Sequence, residues 1–207
     1  MRINVPNQIT LGRLALAVLF FVLLSIVSAD RIDQQRWLLA VGFWVFLAAV
    51  VSDVIDGYLA RALQQETSFG RIIDPVVDKV VICGAFVYFA GAGFTDATTG
   101  ASIVGVEPWM VVVIVLRELL VSALRADSES RGRGFAASWA GKLKMFIQSA
   151  SVAVILGRLA WFPQLHALAV ACVWLTVVAT AASLLPYLGR AREALRLSQP
   201  STPGGAR

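Results

Sequence analysis

Apolar residues come along this chain in six long blocks, and the charged residues collect between them. The blocks run from about Leu14 to Ala29, Trp37 to Leu59, Ile72 to Ala92, Pro108 to Leu124, Phe146 to Phe162 and Leu165 to Leu188. Each is close to the ~20 residues that a helix needs to cross a ~30 Å hydrocarbon core. The first and fifth are short for this, which implies tilt or local thinning of the bilayer. The pattern predicts an all-α integral membrane fold with six transmembrane helices in one domain, residues 1–192. The tail, 193–207, ends in SQPSTPGGAR and is expected to be disordered, because it has almost no apolar surface to bury.

Composition agrees with a membrane protein. Of 207 residues, 58% are hydrophobic and only 15% charged, and mean hydropathy is +0.75. Cys83 and Cys172 both fall in apolar blocks and read as small buried hydrophobes rather than a disulfide or a metal site. The net charge of +5 suits basic cytoplasmic loops and anionic lipid headgroups better than nucleic acid. Most basic residues, including Arg2, Arg13, Arg61, Arg71, Arg125, Arg131, Arg133, Lys142, Lys144 and Arg190, fall on one side of the six spans. Arg31, Arg36 and Arg158 fall on the other. By the positive-inside rule both termini are cytoplasmic, in a multi-pass protein of the cell membrane. Arg2, Arg13 and the VSA before Asp30 also resemble a signal peptide, but five further spans favour a retained first helix.

The segment SDVIDGYLARALQQETSFGRIIDPVVDKV, Ser52 to Val80, breaks the apolar pattern at the expected cytoplasmic end of the second and third spans. Asp53 and Asp56 are about 60° apart on a helix, and Asp74 and Asp78 about 40° apart, so each pair lines one face. The polar QQETS, Gln64 to Ser68, is the expected turn of an antiparallel hairpin across which the pairs meet, and Pro75 is expected in the first turn of the third helix. Four crowded carboxylates in low dielectric hold protons unless a cation sits among them. An oxygen-only set selects Mg²⁺ or Mn²⁺ before Zn²⁺. Four carboxylates suffice for two such ions, and a two-metal site suits phosphoryl chemistry. Gly57, Ala60 and Gly70 leave room for a ligand against the backbone, and Arg61 suits a phosphate. A salt-bridged hairpin is the plainer alternative, but Lys79 and Arg117 are the few basic partners within the spans.

Asp53-x-x-Asp56-Gly57-x-x-Ala60-Arg61, then Gly70-x-x-x-Asp74-x-x-x-Asp78, resembles the full signature of the CDP-alcohol phosphotransferase family. The resemblance covers nearly the whole chain. It implies transfer of a phosphatidyl-type group from a CDP-linked lipid to an alcohol, with release of CMP. It implies that Asp53, Asp56, Asp74 and Asp78 hold two divalent cations on the donor diphosphate, and that Asp78 takes the proton from the acceptor hydroxyl. Gly57, Ala60 and Gly70 are implied as cytidine contacts and Arg61 as a phosphate contact. PNQITLGR resembles the opening of family members; Asn7, Thr10 and Arg13 share a helical stripe and are candidates to bind the CDP-lipid, beside the plainer reading of a capped helix start with a snorkelling Arg13. The resemblance also suggests a homodimer.

The acceptor question moves to other residues. Arg117, inside the fourth span, is a functional candidate because a charge there is costly. Glu118, its neighbour, is expected to point to a different side of the helix. Arg125 lies about 80° round the helix from Arg117. Lys142 and Lys144 bracket Leu143 just before the apolar fifth span, where positive-inside flanking is the plainer reading. Arg117, Arg125, Lys142 and Lys144 are together the candidate pocket for an anionic acceptor. Arg117-Glu118, Ser122-x-x-Arg125 and Ser138-Trp139-x-Gly141-Lys142-x-Lys144 resemble the glycerol-3-phosphate-using branch of the family, except that Met145 stands where that branch usually has Thr. The implied substrates are CDP-diacylglycerol and glycerol 3-phosphate. Other acceptors (an inositol phosphate, a phosphatidylglycerol, serine) are the alternatives within the family. A cation-coupled transporter is the alternative outside it, disfavoured because the acids crowd one rim.

Overall fold

The computed structural model describes residues 5–63, 68–130 and 139–184, and for 5–10, 53–63, 68–75, 78, 129–130 and 140 it describes the backbone alone. Six α-helices account for most of these residues: α1 Val5–Ile26, α2 Arg36–Leu63, α3 Ser68–Phe89, α4 Pro108–Ser130, α5 Trp139–Ala160 and α6 His166–Ala182. The six apolar blocks thus each form a helix. The expected tail, 193–207, lies outside the described residues.

Helix boundaries differ from the apolar blocks in a consistent direction. α1, α3 and α5 begin well before their blocks, and α2 and α4 continue past theirs. Hydropathy marks where side chains favour lipid, whereas a helix continues as long as its backbone ladder is satisfied. Ser68 therefore belongs to α3, and Pro75 lies in the helix interior rather than in its first turn. Proline there has no N–H for the carbonyl four residues earlier, so this stretch of α3 has a missing ladder bond. Lys142 and Lys144 likewise lie within the first two turns of α5, not ahead of it.

The connections define two ends of the bundle. At one end the short 3₁₀ turns Ala29–Arg31 and Ala92–Phe94 touch. Gln35 closes the end of α1 there, accepting from the Ser28 amide (2.8 Å) and donating to the Ile26 carbonyl (3.1 Å). Gly93 approaches so closely that a Cβ on it would lie 2.6 Å from the Val27 carbonyl oxygen, a backbone atom that cannot swing aside. In the loop before α4, Asp96 accepts from the Thr98 and Thr99 amides (2.8 and 2.9 Å), which holds its carboxyl below the ordinary carboxylate range. Arg158, near the end of α5, donates to the Ile103 carbonyl (2.6 Å) and ties this loop to the bundle.

Packing runs through the middle. Ala17, Phe20 and Leu24 of α1 bury against Phe46 of α2 and Ala85, Phe86 and Phe89 of α3, and the core continues through Ile114, Ile155, Leu156 and Val173. Phe20 and Phe46 lie 5.5 Å apart between ring centroids, and Phe89 and Phe94 meet edge to face at 5.3 Å. Truncating such a fully enclosed phenylalanine costs about 3–5 kcal/mol. The expected hairpin is wedged by α1, which packs along both α2 and α3, although α2 and α3 also touch. Large apolar residues such as Val18, Trp44, Leu116, Leu119 and Val178 are exposed on the outside. Gly141–Ala160 and Pro163–Ala182 are long and apolar enough to cross a membrane. Leu11–Ile26, Arg36–Ser52 and Lys79–Phe89 are shorter apolar stretches among the described residues.

Candidate active site

α2 carries Asp53, Asp56, Gly57, Ala60 and Arg61 in its last turns, and α3 carries Gly70, Asp74 and Asp78 in its first turns. The two aspartate pairs therefore lie on adjoining ends of consecutive helices. Their side chains, and those of Asn7 and Thr10 on α1, lie outside the described residues. Among the described residues no group of three or more His, Cys, Asp or Glu is placed to hold a metal ion. The chemistry of the four carboxylates nevertheless fits hard divalent cations, which prefer oxygen donors. Arg13 of α1 is sealed inside the bundle at 2% exposure, so it does not snorkel to the surface.

Beside this region a partly open cavity is lined by α3, α4 and α5. Arg117, Arg125, Lys142 and Lys144 all border it. On α4 the lining positions are Arg117, Glu118, Val121, Ser122 and Arg125, the stripe that one helical face presents. On α5 they are Gly141, Lys142, Lys144 and Met145, in its first turns. The four cations fall into two tiers. Arg117 and Lys144 are buried at 4% and 2% exposure and form the wall, whereas Arg125 and Lys142 are exposed and form the rim.

Lys79 joins them from α3, and its ammonium donates to Ser122 Oγ (2.7 Å), tying α3 to α4. Lys79 follows Asp78 directly, so the two Cα atoms are about 3.8 Å apart. The backbone thus joins the aspartate segment to the cavity.

Glu118 corrects the expectation that it faces away from Arg117. Both line the cavity, Glu118 Oε1 lies 3.5 Å from Arg117 Nη1, and the same oxygen pairs with Lys144 Nζ. Adjacent residues leave a helix about 100° apart, but two long flexible side chains close that angle readily. Lys144 is also not a solvated flank of the span, because it is enclosed and paired. Arg117 Nε donates to Ser183 Oγ (2.7 Å), just past the end of α6. Lys79 was visible in the sequence only as a scarce basic residue. Ser183 lies in no motif, and no periodicity would have singled it out.

Such an arrangement combines an enclosed polar wall with exposed cations at the mouth. Buried, paired cations hold a defined geometry for an oxyanion, and rim cations can close on it. The cationic lining of the cavity suits a small phosphorylated molecule.

A family model described as CDP-alcohol phosphatidyltransferase matches residues 3–182, and the chain belongs to that family. Together with the apolar helices described above, this places it among membrane proteins. It is similar to the CDP-diacylglycerol–glycerol-3-phosphate 3-phosphatidyltransferase of Bacillus subtilis (strain 168), 31% identical over 201 residues that cover 94% of this chain and 98% of the relative. The protein of the same name from Pectobacterium atrosepticum is 31% identical over 203 residues, with coverage of 94% and 98%. A probable phosphatidylglycerophosphate synthase of Mycobacterium tuberculosis (strain ATCC 25618 / H37Rv) is 33% identical over 193 residues, with coverage of 91% and 81%.

Proposed function

We propose that this protein transfers the phosphatidyl group of CDP-diacylglycerol to glycerol 3-phosphate, forming phosphatidylglycerophosphate and CMP. The observation that carries the choice of acceptor is the cavity: Arg117, Arg125, Lys142 and Lys144 surround one space beside Lys79, and Lys79 adjoins Asp78 in the chain. The similarity to relatives named for this reaction, along nearly their whole length, supports the same reading.

In this reading the protein crosses the membrane six times, with both termini and the site on the cytoplasmic side. Support comes from six helices and from the basic residues gathered at the cavity end. Asp53, Asp56, Asp74 and Asp78 hold two divalent cations, Mg²⁺ or Mn²⁺, whose charge offsets that of the donor diphosphate. Asn7, Thr10, Arg13, Gly57, Ala60, Arg61 and Gly70 bind the CDP-lipid. Arg117 and Lys144 fix the acceptor phosphate, and Arg125 and Lys142 close over it. Asp78 accepts the proton of the sn-1 hydroxyl. That oxygen bonds to the phosphorus bearing diacylglycerol, the bond from that phosphorus to the CMP oxygen breaks, and CMP departs.

A different acceptor within the family is the second reading, and Met145 favours it. Met145 lines the cavity where the branch usually has Thr, so one hydroxyl is absent from the wall. CMP release by the purified protein, measured across glycerol 3-phosphate, an inositol phosphate, phosphatidylglycerol and serine, tests both. Release with glycerol 3-phosphate is expected. Release with inositol phosphate alone would replace the first reading by the second.

A further inference from the structure

Arg117 can present its guanidinium to the cavity in one orientation only if something holds its root. Its Nε donates to Ser183 Oγ (2.7 Å), while Nη1 lies 3.5 Å from Glu118. Ser183 in turn donates its own hydrogen to the Thr180 carbonyl (2.7 Å), so an oxygen lone pair is left aimed at Arg117. The serine is 5% exposed and does not line the cavity.

Ser183 is itself held. Its amide donates to the Ala179 carbonyl (3.0 Å). Below it a polar seam locks α6 to α5: Gln148 donates to Thr180 Oγ1 (3.3 Å), and Ser151 Oγ lies 2.7 Å from Thr176 Oγ1 and donates to the Cys172 carbonyl (2.9 Å). Lys144, on the same helix as Gln148 and Ser151, pairs with Glu118. The connections form a closed circuit from Arg117 through Ser183 and α6 to α5, and back through Lys144 and Glu118 to α4. Sequence-distant helices are thereby set in register around one cationic wall.

We infer that Ser183 is a positioning residue for the acceptor site, acting through Arg117 to set the guanidinium plane against the acceptor phosphate. The inference rests on the reading of the cavity as the acceptor site. A bidentate contact from Arg depends on the plane of the fork, so a guanidinium free to turn binds the phosphate less well. The donor lies on the aspartate side and does not sense this change.

The test uses the purified full-length protein in detergent or nanodiscs. An acceptor panel on the unaltered protein comes first. Failure of glycerol 3-phosphate there removes the functional reading, and the acceptor that does drive CMP release is then used for the Ser183 variants. Removing a hydrogen bond to a charged group from S183A is expected to raise the acceptor KM about tenfold, with the CDP-diacylglycerol KM within about twofold of the unaltered protein. Ser183→Thr keeps the hydroxyl and is expected to restore the acceptor KM. Should S183A not survive purification, Ser183→Cys, whose sulfur is a weak acceptor, is expected to show the same split. An unchanged acceptor KM, a parallel rise in both KM values, or S183T behaving like S183A would overturn the inference.

Discussion

Lys144 of α5 pairs with Glu118 of α4, with side-chain exposures of only 3% and 9%. Arg117 lies 3.5 Å from the same carboxylate. One acid therefore balances two cations in the wall of the cavity. Breaking an enclosed pair leaves an uncompensated charge, so Glu118→Gln is expected to lower stability by about 3–5 kcal/mol. The double variant Glu118→Gln with Lys144→Met should recover part of that loss, because it removes the stranded ammonium as well. Thermal unfolding of the two variants in detergent checks this; a double variant no more stable than Glu118→Gln would contradict it.

Lys142 sits on the rim, exposed, with no comparable enclosure. Solvent-screened contacts are worth about 1 kcal/mol or less, so Lys142→Ala is expected to raise the acceptor KM about fivefold and to leave the donor KM unchanged. Steady-state CMP release with each substrate varied in turn gives both values. An unchanged acceptor KM would return Lys142 to the role of a topology signal.

Asp78 is assigned two tasks, metal ligand and base, and one variant separates them. Loss of a general base is worth roughly 10²–10⁴ in rate, so Asp78→Asn is expected to reduce CMP release by that order while donor binding stays measurable. Loss of donor binding altogether would assign Asp78 chiefly to the cations. Chelation of divalent ions from the unaltered protein should abolish release, and Mg²⁺ or Mn²⁺ should restore it.

Arg158 offers a control at the other end of the bundle. It lies roughly 20 Å along α5 from Lys144. Its bond to the Ile103 carbonyl holds the loop before α4. Arg158→Ala is expected to lower stability by about 1.5–3 kcal/mol, the worth of a hydrogen bond to a charged group, with both KM values unchanged. A selective change in acceptor KM would mean that the two ends communicate.

Six apolar blocks were enough to count the helices, because burial in lipid and burial in a helical bundle both demand apolar side chains in long runs. Their ends were less legible. Lys142 and Lys144 looked like flanks, yet the backbone ladder of α5 runs through them from Trp139. Gly70 and the aspartates were legible as a spacing, since a signature of fixed residue types survives without any coordinates.

What the sequence by itself determined, then, was the helical class, the family and the identity of the residues with chemistry to offer. Residue type and spacing along one helix are local properties, and periodicity reads them directly. Only the tertiary structure decided which of those residues meet. Lys79, Arg117, Arg125, Lys142 and Lys144 share a cavity because α3, α4 and α5 pack together there, and Glu118 turns inward because two buried cations require a counter-charge. Ser183 reaches Arg117 across 66 positions of sequence through the docking of α6, a contact that packing alone creates.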